Sequence, residues 1–120
     1  KRVYEQYTER LHGLAGVRLM KRQSYVKPNY AYFPVIFEEK EFGATRNEVA
    51  VRLQQAGVSA RKYFYPLTSM YDCYHGRFDA RKTPVALGVS KRVLTLPMYG
   101  ELKENEIDRI CRIIEDTGKR

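Results

Sequence analysis

The run Tyr30-Ala31-Tyr32-Phe33-Pro34-Val35-Ile36-Phe37 constrains this chain more than any other stretch. Aromatic and β-branched side chains suit the pleated surface of a strand. Here they occupy both alternating faces, so the strand predicted over 30–37 needs a cover on each side. Helices of the same domain can supply one cover, and another domain the other. Pro34 removes a ladder donor and predicts an edge position or a bulge. With 120 residues, 43% of them apolar, the chain can bury one core but cannot hold two domains of ordinary size.

The remaining elements follow from periodicity and punctuation. Tyr4, Tyr7, Leu11 and Leu14 recur at helical spacing with no capping residue before them, so the chain opens inside a helix. Gly13 and Gly16 end it, and Val17-Arg18-Leu19-Met20 alternates as a short strand. Glu38 to Gly43 is predicted to be a solvated loop. Thr45-Arg46-Asn47-Glu48 has the form of a capping box, followed by a helix face of Val49, Leu53 and Ala56 that Gly57 terminates. Val58 to Tyr65 reads as a second central strand. A helix over 84–90 begins at Pro84, and Val93-Leu94-Thr95-Leu96 is a strand stopped by Pro97. The last helix, over 103–116, aligns Ile107, Ile110, Cys111 and Ile114. Strands and helices in this order predict an α+β fold, a small, mainly antiparallel sheet covered on one face by helices.

Composition narrows the function classes. A net charge of +8 is compatible with nucleic acid, a membrane surface or a small anionic ligand. Yet the basic residues come as scattered pairs, such as Lys21-Arg22, Arg61-Lys62 and Lys119-Arg120, and no long basic tract occurs. Cys73 and Cys111 are too far apart for a zinc site or a disulfide framework, and Cys111 reads as a small core residue. His12 and His75 lack ligand spacing, so no metal is expected. No signal peptide or membrane-spanning run is present, and a cytoplasmic setting is expected. Glycine-rich phosphate loops, C-x-x-C, H-E-x-x-H and G-x-S-x-G are all missing. Lys62 and Lys91 sit beside arginines and Lys103 opens a surface helix, so no lysine stands out as a nucleophile, and no catalytic residue is assigned.

The one chemically suggestive stretch is Arg61-Lys62-Tyr63-Phe64-Tyr65-Pro66-Leu67. Strand alternation would put Arg61, Tyr63 and Tyr65 on one side and Lys62 and Phe64 on the other. A guanidinium with two phenols suits phosphate oxygens or sugar hydroxyls. An amphipathic strand packing its rings into a neighbour would leave the same pattern. A third reading is a non-enzymatic basic module that binds nucleic acid by stacking bases on exposed tyrosines.

The succession Gly57-Val58-Ser59-Ala60-Arg61-Lys62-Tyr63-Phe64-Tyr65-Pro66-Leu67, Tyr74, Ser90-Lys91-Arg92-Val93-Leu94-Thr95-Leu96-Pro97-Met98-Tyr99, Leu102 and Glu106-Ile107 resembles the DegT/DnrJ/EryC1/StrS family. The likeness spans nearly the whole chain and lies in that family's C-terminal region. It implies the small C-terminal domain of an aspartate-aminotransferase-like, fold type I enzyme, with residues 1–120 as a single domain and 1–14 as the end of an interdomain helix. The parent would be a pyridoxal-phosphate-dependent, homodimeric aminotransferase moving an amino group from glutamate to a nucleotide-linked keto sugar. The Schiff-base lysine and most cofactor contacts would lie in a large domain upstream, so this portion alone should be inactive. Tyr65 becomes the best substrate-facing residue, with Tyr63 and Arg61 behind it. Many members carry histidine beside the tyrosine-proline pair, where this chain has Phe64 and Thr68, and the Tyr-Phe-Tyr-Pro form implies a 4-keto-6-deoxy sugar on deoxythymidine diphosphate. The reading frame upstream of Lys1 is expected to encode that large domain; a start codon adjacent to Lys1 would remove the function from this product.

Overall fold

The computed structural model describes residues 1–74 and 76–119, so His75 and the second member of the Lys119-Arg120 pair lie outside the described residues. Three strands form one antiparallel sheet in the order β1 (Val17–Leu19), β2 (Phe33–Phe37), β3 (Val93–Leu96). On β2, Phe33, Val35 and Phe37 are buried while Pro34 and Ile36 are only half covered. Across the ladder Phe33 pairs with Leu96 and Val35 with Leu94, so one face of the sheet is continuously apolar.

Helices α1 (Arg2–Leu11), α3 (Arg46–Gln55) and α5 (Glu104–Gly118) close that face. α1 contributes Val3, Tyr7 and Leu11, which recur every four residues and fall on one stripe. α5 contributes Ile107, Ile110, Cys111 and Ile114, as their spacing predicts, together with Thr117. Burial pushes the Cys111 thiol up to about 12, as suits an inert core group. The capping box is formed: the Glu48 amide donates to Thr45 Oγ1 at 3.2 Å, and the Thr45 amide donates to Glu48 Oε2 at 2.7 Å. At the α1–α5 seam Arg10 pairs with Asp108, and Arg2 donates to the Leu102 carbonyl at 2.7 Å.

Four expectations are corrected. Helix α1 stops at Leu11 rather than reaching Leu14, because His12 is extended and Gly13 takes φ +81°. Residues 58–65 make no strand: Arg61 alone bridges to Thr95, and β2 is the central strand. Pro34 therefore sits in a central strand, not at an edge. The two backbone bonds of Thr95 go to Arg61, so Pro34 and Thr95 form a non-hydrogen-bonded pair. The Pro34 nitrogen then faces the β1 side, where β1 has already ended at Leu19, and no ladder bond is lost.

The fourth correction concerns 38–43, which is no solvated loop. It holds a one-turn helix, α2 (Glu39–Phe42), and Phe42 is 3% exposed and packs 5.0 Å from the Phe37 ring. Two glycines make room for it. Gly16, at φ +70°, abuts the Phe42 backbone, and a Cβ on Gly118 would meet the Phe42 ring at 2.6 Å. Beside it, Glu38 bridges Arg18 at 2.9 Å and Arg92 at a shorter contact, linking β1 to α4 (Pro84–Arg92), two residues longer than predicted. Those two guanidinium groups, Arg92 foremost, hold the Glu38 carboxyl below the usual carboxylate range.

Two outcomes follow. Gly16→Ala combines a left-handed backbone with a backbone collision and should cost about 2 kcal/mol or more in urea unfolding; an unshifted midpoint would refute the clamp. Because the folded Glu38 titrates below its unfolded counterpart, its stabilisation is present above the unfolded carboxylate range and fades as pH falls through the folded value. Glu38→Gln should flatten the acid limb of a stability-against-pH curve and leave the neutral-to-alkaline limb parallel to the parent's.

Candidate functional site

Beyond the single bridge at Arg61, where its amide donates to the Thr95 carbonyl at 2.9 Å and its carbonyl accepts at 2.7 Å, the chain leaves the sheet. Freed from the ladder, residues 62–66 do not alternate as a strand would. Arg61 Nη1 donates to the Tyr63 hydroxyl, and its guanidinium lies 5.5 Å from the Tyr63 ring centroid. Phe64, expected on the opposite side, instead stacks on Tyr63 at 5.2 Å. Tyr32 completes the group, edge-on to Tyr63 at 5.8 Å. Arg61 and Tyr63 are thus brought together as the sequence predicts, with two further rings attached.

Tyr65 parts from them. Its ring lies 5.0 Å from the guanidinium carbon of Arg46, the first residue of α3. Arg46 is only 3% exposed, an unusual setting for a cation. Its Nη1 donates to the carbonyls of Ser90 at 3.2 Å and Val93 at 2.7 Å, and its Nε to Asn47 Oδ1 at 2.9 Å. Ser90 stands in the last turn of α4 and Val93 caps it, so these are carbonyls the helix cannot itself satisfy. That end also carries the negative pole of the helix dipole, which suits a cation. Burial draws the Arg46 pKa down, against the opposing pull of Tyr65. An arginine starts so high that it stays charged.

Arg61, Tyr63, Phe64 and Tyr65 all line one open groove of about 1000 Å3, whose other wall is the Asn47, Ala50 and Gln54 side of α3. A smaller cavity of about 320 Å3 on the other side of Arg61 is bounded by Tyr32, Tyr63, Pro97, Met98 and Tyr99. The two chain segments 61–65 and 96–99 are therefore neighbours in space, joined through the Arg61–Thr95 bridge. Such a wall of phenol hydroxyls and one accessible guanidinium can donate to anionic and hydroxylated ligands. Tyr65 is 49% exposed and Phe64 69% exposed, so both rings offer surface to a further molecule or domain. Among the described residues no three His, Cys, Asp or Glu side chains converge as a metal site would require, and no helix is long and apolar enough to cross a membrane.

The model of the DegT/DnrJ/EryC1/StrS aminotransferase family matches residues 1–115. The chain belongs to that family. It is 31% identical over 110 residues to the dTDP-4-amino-4,6-dideoxy-D-glucose transaminase of Escherichia coli, covering 90% of this chain and 29% of that enzyme. The corresponding transaminase of Shigella dysenteriae is 26% identical over 110 residues, covering 92% of this chain and 30% of its own length. Among solved structures, DesI in the presence of its TDP-sugar product superposes with a TM-score of 0.90 at 28% identity, over 99% of this chain and 30% of that one. DesV of S. venezuelae shares the fold, with a TM-score of 0.86 at 21% identity, 99% of this chain and 31% of that one. The sequence thus spans about 30% of the length of the family relatives it matches.

Two members of the site escaped the sequence reading. Tyr32 lies in an apolar run whose simplest role is strand packing, so nothing set it apart. Arg46 was absorbed into the capping box, where position N1 is normally solvent-facing. A signal was available, since the next residues of its own buried stripe, Val49 and Leu53, follow at three- and four-residue steps.

Proposed function

We propose that this sequence forms the small, substrate-side domain of a larger sugar-nucleotide aminotransferase, with residues 1–120 as one domain and α1 (Arg2–Leu11) as the end of a helix leading in from the rest of the enzyme. The observation carrying this reading is the superposition with DesI, whose structure was determined with its TDP-sugar product, over 99% of the chain. The groove beside Tyr65, Tyr63 and Arg61 is the surface we assign to the sugar nucleotide. Arg61 faces the anionic diphosphate, and the Tyr65 hydroxyl donates to a sugar or phosphate oxygen. A 4-keto-6-deoxy sugar on deoxythymidine diphosphate is the substrate class we favour, in keeping with the E. coli relative's name. Glutamate as amino donor and a homodimeric parent complete the proposal.

Pyridoxal phosphate, when bound, supplies the electron sink and carries the amino group between donor and acceptor. The residues of this chain do not build its covalent site. Every described lysine is exposed, whereas a lysine serving as an amine nucleophile in a cofactor site is held desolvated. We therefore assign that lysine to the remainder of the protein, and to this domain the tasks of orienting the sugar nucleotide and excluding water from the cleft. The exposed rings of Phe64, Tyr65, Tyr71 and Tyr99 supply the apolar surface with which it would close that cleft.

The test uses the full-length protein. Tyr65→Phe deletes one hydroxyl and keeps the ring, and should weaken sugar-nucleotide binding by about 1 kcal/mol, the worth of one hydrogen bond. Steady-state KM and direct calorimetric titration of the nucleotide sugar both read this. Parent-like values for both would return Tyr65 to a packing role.

A further inference from the structure

We infer that Arg46 is a positioning residue for the site, holding the Tyr65 ring at the rim of the groove from beneath. The inference rests on the substrate-facing reading of Tyr65 given above. A guanidinium 3% exposed must recover its hydration from fixed partners. Among the described residues none of its hydrogen bonds goes to a carboxylate: two go to the carbonyls of Ser90 and Val93 and one to the Asn47 amide oxygen. Those partners lie along the edge of a planar fork, which leaves the faces of the fork to be covered. The Tyr65 ring lies 5.0 Å from the guanidinium carbon, where its quadrupole attracts the cation.

The arrangement links three elements through one side chain. Arg46 leaves the first turn of α3, ties down the end of α4 where it passes into β3, and carries the ring of Tyr65. Its partners in α4 and β3 are 44 and 47 residues away in sequence, so they belong to the folded frame and not to the loop. Tyr65 itself belongs to a segment without ladder bonds, in which only Arg61 is bridged to the sheet. The buried cation therefore supplies the loop with a fixed point that the strand does not. Lysine cannot replace it: an ammonium could serve the two carbonyls that Nη1 alone reaches, but it would lose the separate Nε bond to Asn47 and has no flat face to present to the ring.

The experiment places 3-fluorotyrosine at position 65 of the full-length protein and compares the parent with Arg46→Lys. The fluorine resonance should shift or broaden in Arg46→Lys and hold its place in Leu53→Val, a core change of similar thermal cost. KM for the nucleotide sugar should rise about three- to tenfold, the size of a partly desolvated cation–π contact, with kcat little changed. In a Tyr65→Leu background the same arginine change should add almost nothing to KM. A merely structural arginine would lower the thermal midpoint and leave the resonance where it was, and that result overturns the proposal. Should Arg46→Lys fail to fold, the reciprocal measurement decides: Tyr65→Leu, at a half-exposed position, should move the Arg46 Nε–H resonance, and an unmoved signal overturns the proposal equally. A shifted resonance with parent-like KM in Tyr65→Leu overturns the substrate reading of Tyr65 instead, and removes the positioning role on that separate ground.

Discussion

Burial of one sheet face organises this domain. Phe33, Val35 and Phe37 from β2 meet Leu94 and Leu96 from β3, and all five are sealed by Val3, Tyr7 and Leu11 of α1 and by the isoleucines of α5. A sheet of only three strands has little area of its own, and such small assemblies hold together when helices pack on them. With the strands held by that face, their ends and the loops leaving them are held too. The bridge from Arg61 to Thr95 is the consequence that matters for the site. It hangs the tyrosine-proline segment from the outer edge of β3, beside α3.

From that point on, ring and cation contacts take over from backbone pairing. Tyr63 is held among Arg61, Phe64 and Tyr32, while Tyr65 rests on Arg46. Arg61 and Phe64 are sequence neighbours of Tyr63, whereas Tyr32 and Arg46 reach the segment from 31 and 19 residues away. They turn a loop without ladder bonds into one wall of a groove. Family membership and the superposition with DesI fit a domain that presents this wall to the rest of an aminotransferase.

Three of the corrections share a cause. Alternation in 58–65 and polarity in 38–43 are local patterns, and each was overruled by something distant. The first segment has the composition of a strand, but only Arg61 finds a partner, since β3 offers it a single bridging residue. In the second, the charged string Glu38-Glu39-Lys40-Glu41 outweighed Phe42, whose place in the core depends on Gly16 and Gly118 approaching from 26 residues before and 76 after. Pro34 was tolerated in a central strand because β1 is one residue too short to need its missing donor.

What the sequence determined alone was the set of amphipathic elements, the capping box at Thr45, the antiparallel α+β class and the family, because apolar spacing, capping chemistry and motif order are all local or cumulative signals. Tertiary structure decided which of two strand-like runs entered the sheet, that Phe42 is core, and that Arg46 lies buried beneath Tyr65. Those outcomes depend on desolvation and on contacts across 19 to 76 residues, which no local window of the chain contains.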